Sequence, residues 1–300
     1  MIDIILMNIV AALAFTFSKP PATDNAVFFL SALHLLPAGL FFTAWRFFFT
    51  GHGRRERITT STFWIFLVLM ALYSFTDVTC FLSVDKTPSS YVALISCLGP
   101  LVTALVARVV LKEFFTTRKV FALFLGFFGI LPLLVNNATD TTTQDYSPDL
   151  MQGYLYSFCT MVGIISIGFI LKEIFLKNYS IVELLSIILS GGGIISLILS
   201  LVTEDWTLIP FQTFLFFTPL TLCIFVAHNI VAPFLYASVL RKYPITLLSF
   251  FSLMTPFFSA LVEFFYYQRK VGVCFFLSAI LFGSALLLFY SEEKKQRFTA

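Results

Sequence analysis

The chain consists mainly of long apolar runs separated by short polar connections. Ten of these runs have about the 17 to 25 residues that a helix needs to cross a hydrocarbon layer. Because backbone polar groups inside a bilayer must pair internally, the runs predict a bundle of helices rather than open strands. Their approximate limits are 2–19, 27–49, 62–83, 88–111, 118–136, 151–172, 180–202, 212–238, 244–266 and 270–290.

Composition agrees with solvation by lipid. Hydrophobic residues make up 59% of the chain, charged residues only 12%, and 39 of the 300 residues are phenylalanine. A soluble domain of this size could not cover so much apolar surface. We therefore expect an all-α polytopic membrane protein with ten transmembrane helices, in contact with the lipid bilayer.

The termini and cysteines add little else. The first run carries Asp3 and lacks a basic leader, which predicts a retained helix, with a signal peptide as the alternative. The five cysteines lie singly in different runs without metal-ligand spacing, so we expect packing residues and no metal.

Basic residues predict the orientation. Fifteen of the nineteen lysines and arginines fall on the side that holds the amino terminus, the even-numbered loops and the carboxyl tail. The positive-inside rule then places both termini in the cytoplasm. Because these residues are spread over loops, we expect no nucleic-acid partner.

One stretch of sequence occurs twice. "KTPSSYVALISCLGPLVTALV" begins at Lys86, and "KYPITLLSFFSLMTPFFSALV" begins at Lys242. Within them, Pro100 and Pro256 fall in mid-span and are expected to bend their helices. "RKV" at Arg118 likewise returns at Arg269, and the sequence around Val27 matches that around Val182.

The repetition predicts two halves of five helices each. Because five is odd, the second half enters the membrane inverted relative to the first. We expect a first repeat over residues 1–136, an outer loop over 137–150, a second repeat over 151–290 and a cytoplasmic tail over 291–300.

Polar side chains inside apolar runs are candidate functional residues, since placing charge at membrane depth costs several kcal/mol. Asp77 lies one turn from Tyr73, and His34 lies at similar depth in the antiparallel neighbouring run. We expect His34 and Asp77 to face a cavity and interact as a proton-coupling or substrate-orienting site. Alternatively, Asp77 reaches the headgroups and His34 only packs.

The second half offers its own candidates. His228 and Asn229 lie near the middle of the eighth run, two turns before Tyr236. Adjacent helical residues point about 100° apart, so one is expected to line the cavity and the other to bond a neighbouring helix. Weaker candidates for coupling or gating are Asn8, Lys19 and Glu263.

Small and hydroxyl side chains form a stripe along each of the repeated runs. The stripes include Ser96 and Pro100 in the fourth run and Ser252 and Pro256 in the ninth. Such a stripe either lets helices pack closely in lipid or lines a cavity. In the second case these four residues bind substrate.

The motifs taken together resemble the drug/metabolite transporter superfamily, in its EamA-like ten-helix branch. The resemblance rests on four stretches and their order: "FTFSK" ending at Lys19, "HLLPAGL" at His34, "SSYVALISCLGPLVTALVARVVLKE" ending at Glu113, and "FLYASVLRKYPITLLSFFSLMTPFFSALVEFF". The chain has His34 where the family often has arginine, and Arg269 where it often has glutamate.

The resemblance implies helices one to four and six to nine around a central cavity, with alternating access and no cofactor. We therefore expect a secondary active transporter of a small organic metabolite in a bacterial inner membrane, as a monomer or homodimer. Amino acids are the first substrate class, and nucleoside-like solutes such as S-adenosylmethionine, which relatives import, the second. An intramembrane enzyme lacks support, because "GxxxxGK", "HExxH" and "GxSxG" are absent from the sequence. A membrane scaffold or sensor remains the other alternative.

Overall fold

The computed structural model describes residues 2–17, 26–49, 60–87, 89–112, 115–139, 149–172, 179–206, 227–267 and 273–299. Within these ranges the secondary structure is helical and no strand occurs, so the predicted all-α class is confirmed. The α-helices are α1 Ile2–Phe17, α2 Val27–Phe49, α3 Thr60–Lys86, α4 Ser89–Ser96, α5 Gly99–Val110, α6 Thr117–Thr139, α7 Asp149–Ile170, α8 Ile181–Thr203, α9 Ala232–Lys242, α10 Ile245–Phe251, α11 Thr255–Tyr267 and α12 Val273–Thr299.

Six stretches of the described residues are long and apolar enough to cross a membrane. They are Val27–Phe49, Thr62–Lys86, Leu150–Ile170, Ile181–Thr203, Ile245–Val262 and Val273–Glu292, beside two shorter apolar helices, Ile2–Leu13 and Gly99–Val110. The helices α6 and α12 continue past the predicted ends of their runs, and only the second half of the eighth run is described.

The helices α2 and α8 pack face to face and run antiparallel. The hydroxyl oxygens of Ser31 and Ser196 are 3.0 Å apart. Further along the pair, Gly39 lies directly against the backbone of Ser190. The contacting residue number therefore rises on one helix as it falls on the other. Small residues at such a contact permit close approach where lipid provides no hydrophobic drive.

Polar contacts close both ends of this helix pair. At one end, Arg46 Nη2 lies 2.7 Å from Glu183 Oε1. At the other, the backbone N–H groups of Phe28 and Phe29 donate to the carboxylate of Glu204 at 2.6 and 3.0 Å. A carboxylate beside unpaired amides at a helix amino terminus is stabilising. These contacts fix the register of α2 against α8.

The side chain of Ser180 caps the amino terminus of α8. The Ser180 hydroxyl oxygen accepts a hydrogen bond from the Glu183 backbone N–H at 3.1 Å. The Glu183 carboxylate pairs with Arg46 on the neighbouring helix, which a reading of the local sequence alone does not reveal.

A second antiparallel pair is formed by α6 and α12. Gly129 lies against Leu281 and Phe282. About three turns earlier on α6, Arg118 Nη1 lies 3.3 Å from Glu292 Oε1, near the far end of α12. Since α6 and α12 are the last helices of the two predicted halves, each half contributes one member to this pair as well.

Two helices are interrupted at matching positions of the repeated sequence. The chain turns at Cys97 and Leu98 between α4 and α5, and forms a 3₁₀ turn at Ser252–Met254 between α10 and α11. Pro100 and Pro256 are each the second residue of the helix that follows. Proline lacks the N–H that would continue the preceding helix, so the predicted bends are present as breaks.

The contact between α2 and α8 predicts a strong asymmetry between two glycine substitutions. A Cβ at Gly193 would lie 2.7 Å from the Leu36 backbone N, whereas a Cβ at Gly283 would meet nothing within 4 Å. We expect Gly193→Ala to lower the free energy of unfolding by about 1–3 kcal/mol through overpacking. Gly283→Ala should leave it equal or raise it by up to about 1 kcal/mol. Thermal unfolding in detergent measures both, and equal midpoints would contradict the packing.

Candidate functional site

The side chains of His34 and Asp77 are hydrogen-bonded to each other inside the helical bundle. His34 Nδ1 on α2 is 2.8 Å from Asp77 Oδ1 on α3, and the two side chains are 17% and 15% exposed. The contact predicted from their similar depth is present in this geometry. Since an aspartate in an apolar segment is costly without a partner, the histidine explains how the carboxylate is tolerated there.

The packing of α2 against α8 directs His34 toward α3. Leu35, Ala38 and Phe42 form the buried stripe of α2, and they pack against Leu185 and Leu189 of α8. A residue one position earlier points about 100° away around a helix. His34 therefore leaves the α2–α8 contact and meets the side chain of Asp77 on α3.

A second imidazole stacks on the first. The rings of His34 and His228 have centroids 5.2 Å apart and an interplanar angle of 29°. His228 lies in a π turn, Ala227–Val231, that leads into α9. Such turns insert a residue into a helix and often occur at functional sites. Phe81 contacts the His34 ring edge-on at 5.4 Å.

Polar atoms on three neighbouring residues are buried without a hydrogen-bond partner among the described residues. They are Asp77 Oδ2, His228 Nδ1 and Asn229 Nδ2. Asn229 is only 5% exposed. A buried polar atom without a partner costs about 1–3 kcal/mol, so a group of them next to an ion pair indicates a place for a ligand. The Asp77 carboxylate oxygen can attract a cationic ligand, and the Asn229 amide N–H can donate a hydrogen bond to a ligand oxygen or ring nitrogen.

Two tyrosines border this part of the bundle. Tyr73 lies one turn before Asp77 on α3 and packs against Gly192 of α8. Tyr236 lies on α9, with its hydroxyl directed at Gly168 of α7. Both rings are half-buried and pack against the main hydrophobic core. They add aromatic surface to a region whose polar groups come from α2, α3 and the π turn.

Asn8, a candidate for coupling or gating, is buried and its side-chain amide is hydrogen-bonded through both of its polar atoms. It is 1% exposed, and its Nδ2 donates to the Ile4 carbonyl at 2.8 Å. Its Oδ1 accepts from Thr255 Oγ1 at 3.0 Å. With both amide atoms bonded, Asn8 fastens α1 to the first residue of α11, immediately after the break.

The two other candidate gate residues have no described side chain. Lys19 lies outside the described residues, and Glu263 lies on α11 with its side chain outside the described set. Their proposed roles stay predictions.

The stripe residues lie at the two helix breaks. Ser96 Oγ donates to the Val92 carbonyl at 2.9 Å, and Ser252 Oγ donates to the Ser249 carbonyl at 2.6 Å. Each hydroxyl thus bonds to its own helix. Pro100 and Pro256 begin the helices that follow. These contacts do not distinguish the packing alternative from substrate binding, so the proposed role of the four stripe residues stays a prediction.

Several polar contacts between helices escaped the sequence reading. Lys172 Nζ donates to the carbonyls of Leu240 and Tyr243 at 2.7 and 2.9 Å, at the carboxyl end of α9. Ser196 Oγ lies 2.7 Å from Ser74 Oγ and so links α8 to α3. The sequence shows that Lys172 ends an apolar run, but it does not show which carbonyl groups of another helix the lysine will bind.

These features define a class. The fold is a bundle of apolar helices of membrane-spanning length, and its buried polar site has unused hydrogen-bonding capacity. That combination is typical of an integral membrane transporter.

The comparison with known families makes the class specific. The model of the EamA-like transporter family matches residues 1–135. This part of the chain is therefore similar to the family, within the drug/metabolite transporter superfamily, that its motifs resemble. The family and the names of the relatives point to a transporter, not to an enzyme.

Curated relatives come from two species of Chlamydia. The S-adenosylmethionine/S-adenosylhomocysteine transporter of Chlamydia trachomatis serovar L2 is 25% identical over 240 residues, covering 77% of this chain and 72% of the relative. The transporter of the same name from Chlamydia muridarum is 25% identical over 239 residues, covering 77% and 74%. These proteins are similar to this chain over most of their length.

A solved structure supports the fold. A protein crystal structure superposes with a TM-score of 0.72 at 16% sequence identity and covers 96% of each chain. At that identity the likeness shows the fold alone.

The site predicts a specific loss on removing the Asp77 charge. Asp77→Asn should weaken solute binding by about tenfold or more, because a hydrogen bond to a charged group contributes about 1.5–3 kcal/mol. Ser83→Ala is the matched control on the same helix, since Ser83 Oγ bonds only its own helix carbonyl at Cys80 among the contacts described. Uptake of labelled solute into proteoliposomes measures both. Equal uptake by Asp77→Asn and Ser83→Ala would remove Asp77 from the site.

Proposed function

We propose that the chain is a secondary active transporter that moves a small adenosyl metabolite of the S-adenosylmethionine class across a bacterial cytoplasmic membrane. The observation that carries this proposal is the Asp77 carboxylate. One of its oxygens is bound by His34 at 2.8 Å, and the other is buried without a described partner. A carboxylate oxygen left in this state favours a cationic ligand over an anionic one.

The aromatic groups around the carboxylate suit the rest of such a solute. S-adenosylmethionine combines a sulfonium cation, an amino acid and a purine. Aromatic faces attract cations and stack on purines. Tyr73, Phe81 and the His228 ring lie on helices next to Asp77 and supply these faces. Asn229 Nδ2 supplies a buried donor for a carboxylate oxygen or a ring nitrogen.

The names of the relatives add independent support. Each is called a transporter of both S-adenosylmethionine and S-adenosylhomocysteine. The two solutes share their adenosyl and amino-acid parts, so a site for one accommodates much of the other. Free amino acids carry only part of this set of groups and are the competing substrate class.

The mechanism that we propose is alternating access by two inverted repeats, residues 1–136 and 151–290. The second helices of the two halves, α2 and α8, pack antiparallel, and so do the fifth, α6 and α12. The breaks in the fourth and ninth runs fall at the same place in the repeated sequence. Two inverted halves can exchange conformations, which opens a shared site to each face of the membrane in turn.

The orientation that we propose follows from the basic residues. Both termini lie in the cytoplasm, so the Arg46–Glu183 pair lies near the inner face and Glu204 near the outer face. The segment over residues 137–150 then connects the two repeats on the outer side, and the tail over 291–300 is cytoplasmic.

Counterflow in proteoliposomes tests the function. Vesicles loaded with unlabelled S-adenosylhomocysteine should take up labelled S-adenosylmethionine well above protein-free liposomes. A tenfold excess of unlabelled S-adenosylmethionine outside should suppress this uptake, and a tenfold excess of methionine should not.

The other outcomes separate the alternatives. Exchange of methionine without exchange of S-adenosylmethionine would replace the adenosyl class with amino acids. If no solute of either class exchanges, the transport proposal fails and a scaffold or sensor takes its place.

A further inference from the structure

The two solutes of the proposed function differ in charge. S-adenosylmethionine carries a sulfonium cation in addition to its amino acid, whereas S-adenosylhomocysteine has a neutral thioether at that position. Near pH 7 the first has a net charge of about +1 and the second about 0, since the amino and carboxyl groups cancel. A carrier that exchanges one for the other must move this charge across the membrane or balance it.

We propose that the His34–Asp77 pair balances the charge, so that S-adenosylmethionine enters in electroneutral exchange for S-adenosylhomocysteine and one proton. The proposal rests on the proposed function and adds a coupling ion and a stoichiometry to it. With the thioether bound, the pair retains a proton. When the sulfonium binds, that proton leaves His34 for water at the open face of the carrier.

The geometry makes the proton and the sulfonium compete for one carboxylate. His34 Nδ1 is 2.8 Å from Asp77 Oδ1, and Asp77 Oδ2 is buried without a described partner. A protonated His34 neutralises Asp77 and lowers its attraction for a second cation. A sulfonium beside Asp77 neutralises the same negative charge. The carboxylate then no longer stabilises the protonated form of His34. The His34–Asp77 pair and its bound solute, counted together, then have the same net charge with either solute.

His228 limits the pair to one proton. Its ring stacks on His34 with centroids 5.2 Å apart. Two positively charged imidazoles at this distance repel each other, so protonation of one opposes protonation of the other. His34 has the carboxylate as its hydrogen-bond partner, whereas His228 Nδ1 has none among the described residues. The proton is therefore held on the His34 side.

The other titratable groups around His34 do not change charge in the same pH range. On α3 these are Tyr73 and Cys80, and on α9 it is Tyr236. Tyrosine and cysteine side chains ordinarily lose their protons at higher pH than histidine.

On α8, which packs against α2, ionisable residues occur only at the two ends. Glu183 pairs there with Arg46, and Glu204 binds the first amides of α2. Each of these two carboxylates therefore has its own partner away from His34.

The wild-type protein in proteoliposomes decides the stoichiometry. Vesicles loaded with S-adenosylhomocysteine and given external S-adenosylmethionine should release about one proton outward per solute taken up. Exchange of S-adenosylmethionine for itself is the internal control and should move none. An imposed membrane potential of 100 mV should not change the equilibrium distribution of the two exchanging solutes between the inside and the outside of the vesicles. If one charge moved without compensation, the same potential would change that distribution by about fiftyfold.

The results separate this inference from the proposed function. Exchange that moves no protons and follows the potential would overturn the inference while the function stands. If neither solute exchanges, the function itself fails. Proton release with hetero-exchange alone supports both.

Binding to the purified protein locates the proton. While the free protein still carries this proton, affinity for S-adenosylmethionine should rise by up to about tenfold for each unit that the pH is raised, because one proton leaves as the ligand binds. Affinity for S-adenosylhomocysteine should not rise. In His34→Gln and Asp77→Asn, each checked for a folded elution profile, the affinity for S-adenosylmethionine should be weaker and should no longer rise with pH. A slope that persists in either variant would place the proton on another group.

Discussion

The antiparallel contact between α2 and α8 sets the rest of the structure. Gly39 and Gly193 allow the two backbones to meet, and polar groups close both ends of the pair. With this register fixed, one face of α2 is occupied by α8 and the next face, which carries His34, turns to α3. The ion pair with Asp77 therefore follows from helix packing, and the charge inside the bundle is tolerated because packing supplies its partner.

The same logic links the scaffold to solute movement. The α2–α8 and α6–α12 pairs are held by glycine contacts and by polar contacts near their ends, while the breaks before Pro100 and Pro256 leave backbone positions at which a helix can change direction. Thr103 and Ser249 join the two broken helices through a hydroxyl contact of 3.1 Å. Closely packed helix pairs beside broken helices suit the alternating access that we propose. The polar site lies on the helices α2 and α3 and on the π turn before α9.

Much of this could be predicted from the sequence. Apolar length gave the helical class, the repeated prolines gave the two breaks, and depth along antiparallel runs brought His34 to Asp77. These features depend on local chemistry or on one-dimensional spacing.

The remaining features depend on which helices meet. The Glu204 carboxylate lies far along the chain from the amides that it binds, and Glu183 lies far along the chain from its partner Arg46. Asn8 was identified as a polar residue in an apolar run, but the sequence did not reveal that its amide oxygen accepts a hydrogen bond from Thr255 at the start of α11. The π turn that places His228 over His34 has no signature in an apolar run.

Disulfide formation within the membrane tests the antiparallel register directly. In a cysteine-free background, Ser31→Cys with Ser196→Cys should cross-link on mild oxidation, because the two hydroxyl oxygens are 3.0 Å apart. Ser31→Cys with Ser186→Cys, the pair that a parallel arrangement would bring together, should stay reduced. A cross-link between 31 and 186 without one between 31 and 196 would contradict the structure and, with it, the placement of His34 beside Asp77.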